Sequence, residues 1–243
     1  MARISLVFII LLLAISYGYA DGLPSEEAER QAKERQMEQV AVRFKAETGF
    51  RGEINYDFER MKLGSYEGKF VDIPFAADAD TTAFRQVSNR ILDKILPYSL
   101  AKRNQLSMIM IKRQGNYTST DYFQMVNGHR VEGSGFIVIT YDAGRNRFDI
   151  GDNTAELPDE PLGEIITEAE AYQLAFDQYK KSELYDQKYP ARGKTSILYK
   201  SREEDGVSQP YRLCWKISFP YISYYVDAIT KETFSQKHIV LDN

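Results

Sequence analysis

The sequence predicts an α+β protein of two domains, each an antiparallel sheet packed on a helix. Three observations carry this. Two stretches repeat apolar residues at helical spacing, Phe84, Val87, Ile91, Leu92, Ile95 and Leu96 in one and Ala171, Leu174, Ala175 and Tyr179 in the other. Each is followed by runs that alternate at period two. Between them, residues 156–162 place Pro158 and Pro161 among acidic residues, the composition of a linker.

Residues 1–20 read as a secretory signal: Arg3 supplies a short basic start, residues 4–15 are apolar apart from Ser5, and Gly18-Tyr19-Ala20 offers small residues at the cleavage positions. The run falls short of the roughly 20 residues a spanning helix needs, so cleavage before Asp21 and no stable membrane anchor are expected. A helix over 25–48 follows, capped by Ser25 and halted by Gly49, with Met37, Val40, Ala41 and Phe44 at helical spacing. Its first half is almost wholly polar and is expected to project into solvent. Residues 50–70 form two short strands with turns at Gly64 and Gly68. The helix that begins near Asp80, Thr81 and Thr82 ends at Pro97.

Four strands follow, over 106–113, 118–126, 130–141 and 146–150. Asn127-Gly128 closes one tight hairpin, since both positions accept positive φ, and residues 142–146 close another. A helix followed by such a meander is the cystatin-like arrangement, so the first domain covers 50–155. In the second, over 163–243, Thr167 and Glu170 form a capping box at the helix start. Its strands are expected at 195–201, 211–219, 223–228 and 233–241, giving a second cystatin-like sheet.

With 31 basic and 35 acidic residues mixed throughout, the chain has no basic stripe, which removes the electrostatic basis for nucleic-acid binding. Its one cysteine, Cys214, has no partner for an internal disulfide; it alternates away from the Trp215 face, toward solvent or a second packed layer, and reads as a small semi-buried apolar residue. Aromatic residues make up 13%, with 17 Tyr, which favours a strand-rich protein with amphipathic surfaces.

Two segments resemble a known family. Leu213-x-Trp215-x-Ile217, followed by Asp227-Ala228-x-Thr230-x-Glu232, resembles the PepSY module of thermolysin-like metalloprotease propeptides; Lys231 stands where that turn has Gly. Gln124, Gly128, Val131 and Gly133 match the fungalysin/thermolysin propeptide motif, with His129-Arg130 in place of its aliphatic-Pro pair. No protease follows. The resemblance implies a secreted or periplasmic, non-enzymatic protein that binds a partner such as a secreted metalloprotease, as inhibitor or folding chaperone.

The residues themselves offer no catalytic set. The chain's two histidines, His129 and His238, are far apart and neither belongs to a His-Glu-x-x-His motif, so zinc protease chemistry of that type is excluded. One Cys and two scattered His make a structural zinc site unexpected, and no cofactor is implied. Gly133-Ser134-Gly135 lacks the Gly-x-Ser-x-Gly form of a nucleophile elbow, and its glycines are read as permitting a bulge or close backbone approach. Partner-binding candidates are Tyr221, Tyr224 and Tyr225, as aromatic anchors beside an open strand edge, and the tail residues His238 and Asp242. The alternative is a small-ligand or envelope-binding cystatin-like module. A roomy apolar cavity between sheet and helix would favour the latter, and a filled core with open edges the former.

Overall fold

The computed structural model describes residues 26–76, 80–157, 163–185, 187, 193–204 and 207–237. Three α-helices are found among them: α1 (Glu26–Thr48), α2 (Thr81–Ile95) and α3 (Glu168–Tyr179). The strands are β1 (Phe50–Asp57), β2 (Lys62–Phe70), β3 (Leu106–Gln114), β4 (Tyr117–Val126), β5 (His129–Glu132), β6 (Phe136–Asp142), β7 (Arg147–Asn153), β8 (Lys194–Lys200), β9 (Glu203–Glu204), β10 (Val207–Ser208), β11 (Arg212–Phe219), β12 (Ile222–Asp227) and β13 (Thr233–Lys237). The proposed signal sequence, Ser25 and most of the proposed linker lie outside the described residues. No helix among those described is long and apolar enough to cross a membrane.

The helices form where expected. In α1 every residue from Glu26 to Gln36 is exposed, and only from Met37 onward does one face bury Met37, Ala41, Phe44 and Thr48. Asp80 caps α2, its carboxylate accepting from Ala83 N–H at 2.7 Å, and the apolar stripe of α2 is fully covered. Thr167 caps α3 by accepting from Glu170 N–H at 3.2 Å. The reciprocal half of that box is given up, because the Glu170 carboxylate pairs instead with Lys231 Nζ at 2.6 Å.

The expected pair of cystatin-like domains, each an antiparallel sheet on its own helix, is not formed. Among the described residues one mixed sheet of eleven strands runs β1-β2-β7-β6-β4-β5-β8-β11-β12-β13, with β3 alongside β4. The join is a departure from a single hairpin. Val126 and Met125 pair with His129 and Arg130, but Phe123 pairs with Phe136, so four residues, Val131–Ser134, are inserted on one side. The inserted strap leaves β4, and Val131 and Glu132 pair in parallel with Tyr199 and Lys200 of β8. The single strand expected over 130–141 is thereby split into β5 and β6. The turns expected at Gly64 and Gly68 do not form, and both glycines lie inside β2. Gly68 faces Gly52 of β1 there, and a Cβ on Gly52 would sit 2.1 Å from the Glu67 carbonyl, so the pair permits a close crossing of strands.

Side chains fill the space between helices and sheet. Phe44, Tyr66, Phe84, Ile91, Leu92, Ile137 and Ile139 are all fully buried between α1, α2 and the first strands. Below α3, Ala171, Ala175 and Tyr179 pack on Ile217, Phe219, Ile222, Tyr224 and Val226, with the Tyr179 and Phe219 rings stacked at 4.1 Å. A third cluster, containing Val126, Val131, Ala155, Leu157, Tyr199 and Leu213, spans the join itself. Burying apolar side chains on both flanks of the strap is what welds the two ends into one body.

Candidate functional site

The strap depends on two glycines. Gly133 and Gly135 take φ of 89° and 80°, and a Cβ on Gly135 would lie 2.5 Å from Val131 Cβ. Between them Ser134 is buried, and its hydroxyl hydrogen-bonds that of Tyr211. Ser134 therefore ties the strap to β11's approach. The bulge reading of the Gly-Ser-Gly segment matches this geometry.

Parallel pairing sends Val131 into the apolar cluster and Glu132 to the opposite face. There Glu132 accepts from Lys216 Nζ at 2.6 Å and from the Tyr225 hydroxyl, with Lys200 Nζ at 3.5 Å. Burial alone raises the Glu132 pKa, but the bonds from Lys216 and Tyr225 and the two lysine charges outweigh it and hold the carboxyl below its ordinary value. Burial and the bond to Glu132 raise the Tyr225 hydroxyl well above the ordinary tyrosine range. Cys214 lies on the same face beside Leu198 and Tyr225, fully buried, and burial, with Asp227 adding to it, pushes its thiol up to about 12. Such a thiol is a packing group and a poor nucleophile.

The strap covers only part of β8. On one side β8 pairs with β11 from Lys194 to Lys200; on the other, β5 engages Tyr199 and Lys200 alone. Among the described residues, Lys194–Leu198 of β8 thus keep an unpaired edge. A groove of about 590 Å³ opens there, walled by Ser196, Ile197 and Leu198 on one side and by Phe123, Phe136 and the strap on the other. The Arg130 guanidinium lies over the Phe123 ring at 4.4 Å and makes no ion pair among the described residues. On the opposite flank of the join, a cleft of about 640 Å³ is lined by Arg60, Leu100, Leu157, Pro210 and Tyr211.

The residues singled out from sequence are scattered. Tyr221 is exposed, at the β11–β12 turn, with φ of 65° after Pro220. Tyr224 and Tyr225 are buried on opposite faces of β12, which lies between β11 and β13 and has no open edge. Neither can anchor a partner without unpacking the core. His238 and Asp242 lie outside the described residues. The open β8 edge, Arg130 and the Glu132 cluster went unnoticed in the sequence, where only the paired glycines of the strap hinted at them.

The turn motif Asp227-Ala228-x-Thr230-x-Glu232 is built as a closed unit. Asp227 Oδ1 accepts from Ile229 and Thr230 N–H at 2.8 Å each, and Asp227 N–H donates to the Glu232 carbonyl at 2.8 Å. Lys231 itself takes the left-handed conformation, φ 66°, at the position where the PepSY pattern has Gly.

No protein-family model matches the chain, and no curated protein matches it. Among solved structures the chain is similar to the Bacillus megaterium YpeB C-terminal domain, at 9% identity and a TM-score of 0.32, over 83% of this chain and 96% of that one. A superposition that loose carries neither fold nor function across. The likeness to protease propeptides therefore rests on the sequence motifs around Gln124 and Trp215.

Proposed function

We propose that the chain is a non-enzymatic protein-binding module of the propeptide kind, which acts on a secreted metalloprotease as inhibitor or folding chaperone. The observation that carries the binding part is the distribution of space. The interior between helices and sheet is packed with fully buried side chains, while the openings of several hundred Å³ lie elsewhere: two at the join, one of these beside an unpaired strand edge, and a third between residues 200–203 and β13. That arrangement suits an extended polypeptide better than a small molecule enclosed under a helix. The protease part of the reading comes from the motif resemblance alone.

The test is capture of proteins from the native secretion on the immobilised chain, followed by titration of any recovered metalloprotease with the free chain. Stoichiometric binding with inhibition, or with faster refolding of the protease, is the expected result. Recovery of no protein, or turnover of a substrate by the purified chain, would overturn the proposal.

A further inference from the structure

We infer that the open edge of β8 is the seat of an extended, acidic-apolar peptide segment of the partner, taken up as an added strand. This rests on the protein-binding reading above and specifies its site. Three features converge. The edge from Lys194 to Leu198 offers backbone N–H and C=O groups that β5 leaves unpaired among the described residues. These groups belong to a sheet already anchored by β11, so they are held at strand spacing before any peptide arrives, and little ordering is required of the protein. The groove beside them is lined by Phe123, Phe136 and Ile197, which supply apolar contact for every second side chain of a strand.

Charge selects the third property of the occupant. Arg130 stands over Phe123 at the groove without a carboxylate partner among the described residues, and exposed Lys194 has no ion pair there either. Glu132, the groove's acidic residue, is already engaged by Lys216 and Lys200. A segment bearing Glu or Asp is therefore favoured over one bearing Lys.

Among the described residues β1, β13 and β3 also present a free edge. The β1 edge is interrupted by a register shift between Asn55 and Tyr56 and carries exposed Arg51 and Glu53, and β13, five residues long, ends in exposed Lys237. The third, β3, is a weaker candidate as well. A register shift between Met108 and Met110 interrupts it, and exposed Lys112 and Arg113 lie at its end, both of them devices that discourage strand addition.

The probe is a library of acetylated octapeptides that alternate Val, Leu, Ile or Phe with Glu, and a twin library with Lys for Glu, each fluorescently labelled and read by anisotropy against the full chain. The acidic library is expected to yield binders. For a binder so obtained, Arg130→Glu should weaken affinity roughly tenfold and shift preference toward the Lys twin, the size expected for reversing one exposed charge pair. N-methylation of alternate amides should abolish binding in one phase and leave it intact in the other, because an added strand uses only one of its edges. The second readout leaves the protein untouched, so it does not depend on the variant's folding. Absence of binders, indifference to Arg130→Glu, or tolerance of both methylation phases would overturn the site. A captured partner protein that binds wild type and Arg130→Glu equally would overturn the site while sparing the protein-binding reading; absence of any partner would sink that reading itself.

Discussion

The carboxamide of Gln124 pairs with the backbone of Ala155 in both directions: Nε2 donates to the Ala155 carbonyl at 2.8 Å and Oε1 accepts from its N–H at 3.0 Å. Both residues are buried, and Gln124 Nε2 also reaches Gln105 Oε1 at 3.2 Å. A side chain here replaces a missing strand and holds the segment after β7 against the end of β4. Gln124→Leu keeps the volume but strands two buried backbone groups, so unfolding free energy should fall by about 2–4 kcal/mol in urea titrations. A loss under about 0.5 kcal/mol would mean that water replaces the amide.

Trp215 is half-buried, packs at the boundary of two apolar clusters and donates from Nε1 to the Ile166 carbonyl at 3.0 Å. Trp215→Ala removes both the packing and a hydrogen bond that fixes the entry to α3. A loss of roughly 3–5 kcal/mol is expected, measured by the midpoint of chemical denaturation.

Lys62 and Asp152 form an ion pair of 2.6 Å whose side chains are 2% and 0% exposed. Burial pulls the Lys62 pKa below its ordinary value despite Asp152 beside it. Lys62→Met leaves a carboxylate in the core with only Thr154 for company, and should cost roughly 3–5 kcal/mol at neutral pH. Adding Asp152→Asn to Lys62→Met should recover part of the loss; no recovery would show that packing, not charge, is responsible.

The Tyr221 backbone lies in the left-handed region, which costs a non-glycine residue roughly 1–2 kcal/mol. With its ring exposed, Tyr221→Gly should raise stability by about 0.5–1 kcal/mol after the added freedom of the unfolded chain is counted. Thermal unfolding of the two proteins side by side decides this, and a lower midpoint for the glycine variant would show that the ring makes contacts worth more than the strain.

Alkaline pH should destabilise the fold. Burial raises Cys214 from 9.0 to about 12 and Tyr122 from 10.0 to about 12, so both keep their protons in the folded chain after the unfolded chain has lost them. Their contribution is complete below pH 9 and is lost as pH rises through 12. Cys214→Ala should flatten that decline by up to roughly 1.4 kcal/mol per pH unit, and the native thiol should resist thiol reagents at pH 8 until the protein unfolds. Rapid labelling of native protein would contradict this.

Element type was legible in the sequence wherever one face of an element is buried and the other wet. Helix α2 and strand β7 follow that rule, and their stripes emerge at 3.6 and 2 residues. It failed for β12, all six residues of which are buried, because Phe234 and the ammonium groups of Lys200 and Lys216 cover the face that alternation leaves to solvent. Tyr225 therefore reads as surface and is core. The strap was illegible for a different reason. Val131, Ile137 and their neighbours continue one apolar pattern through Gly133 and Gly135, and nothing local reveals that Val131 pairs with Tyr199, a residue remote in the chain.

That remoteness bears on how the protein assembles. The β3–β4, β6–β7 and β11–β12 hairpins close over short loops, whereas the Val131–Tyr199 contact must wait until both of its flanking sheets exist. Closure of this joint belongs late in folding, and until it happens two naked strand edges face solvent, the interval in which a helper protein or a misplaced neighbour would find its opening.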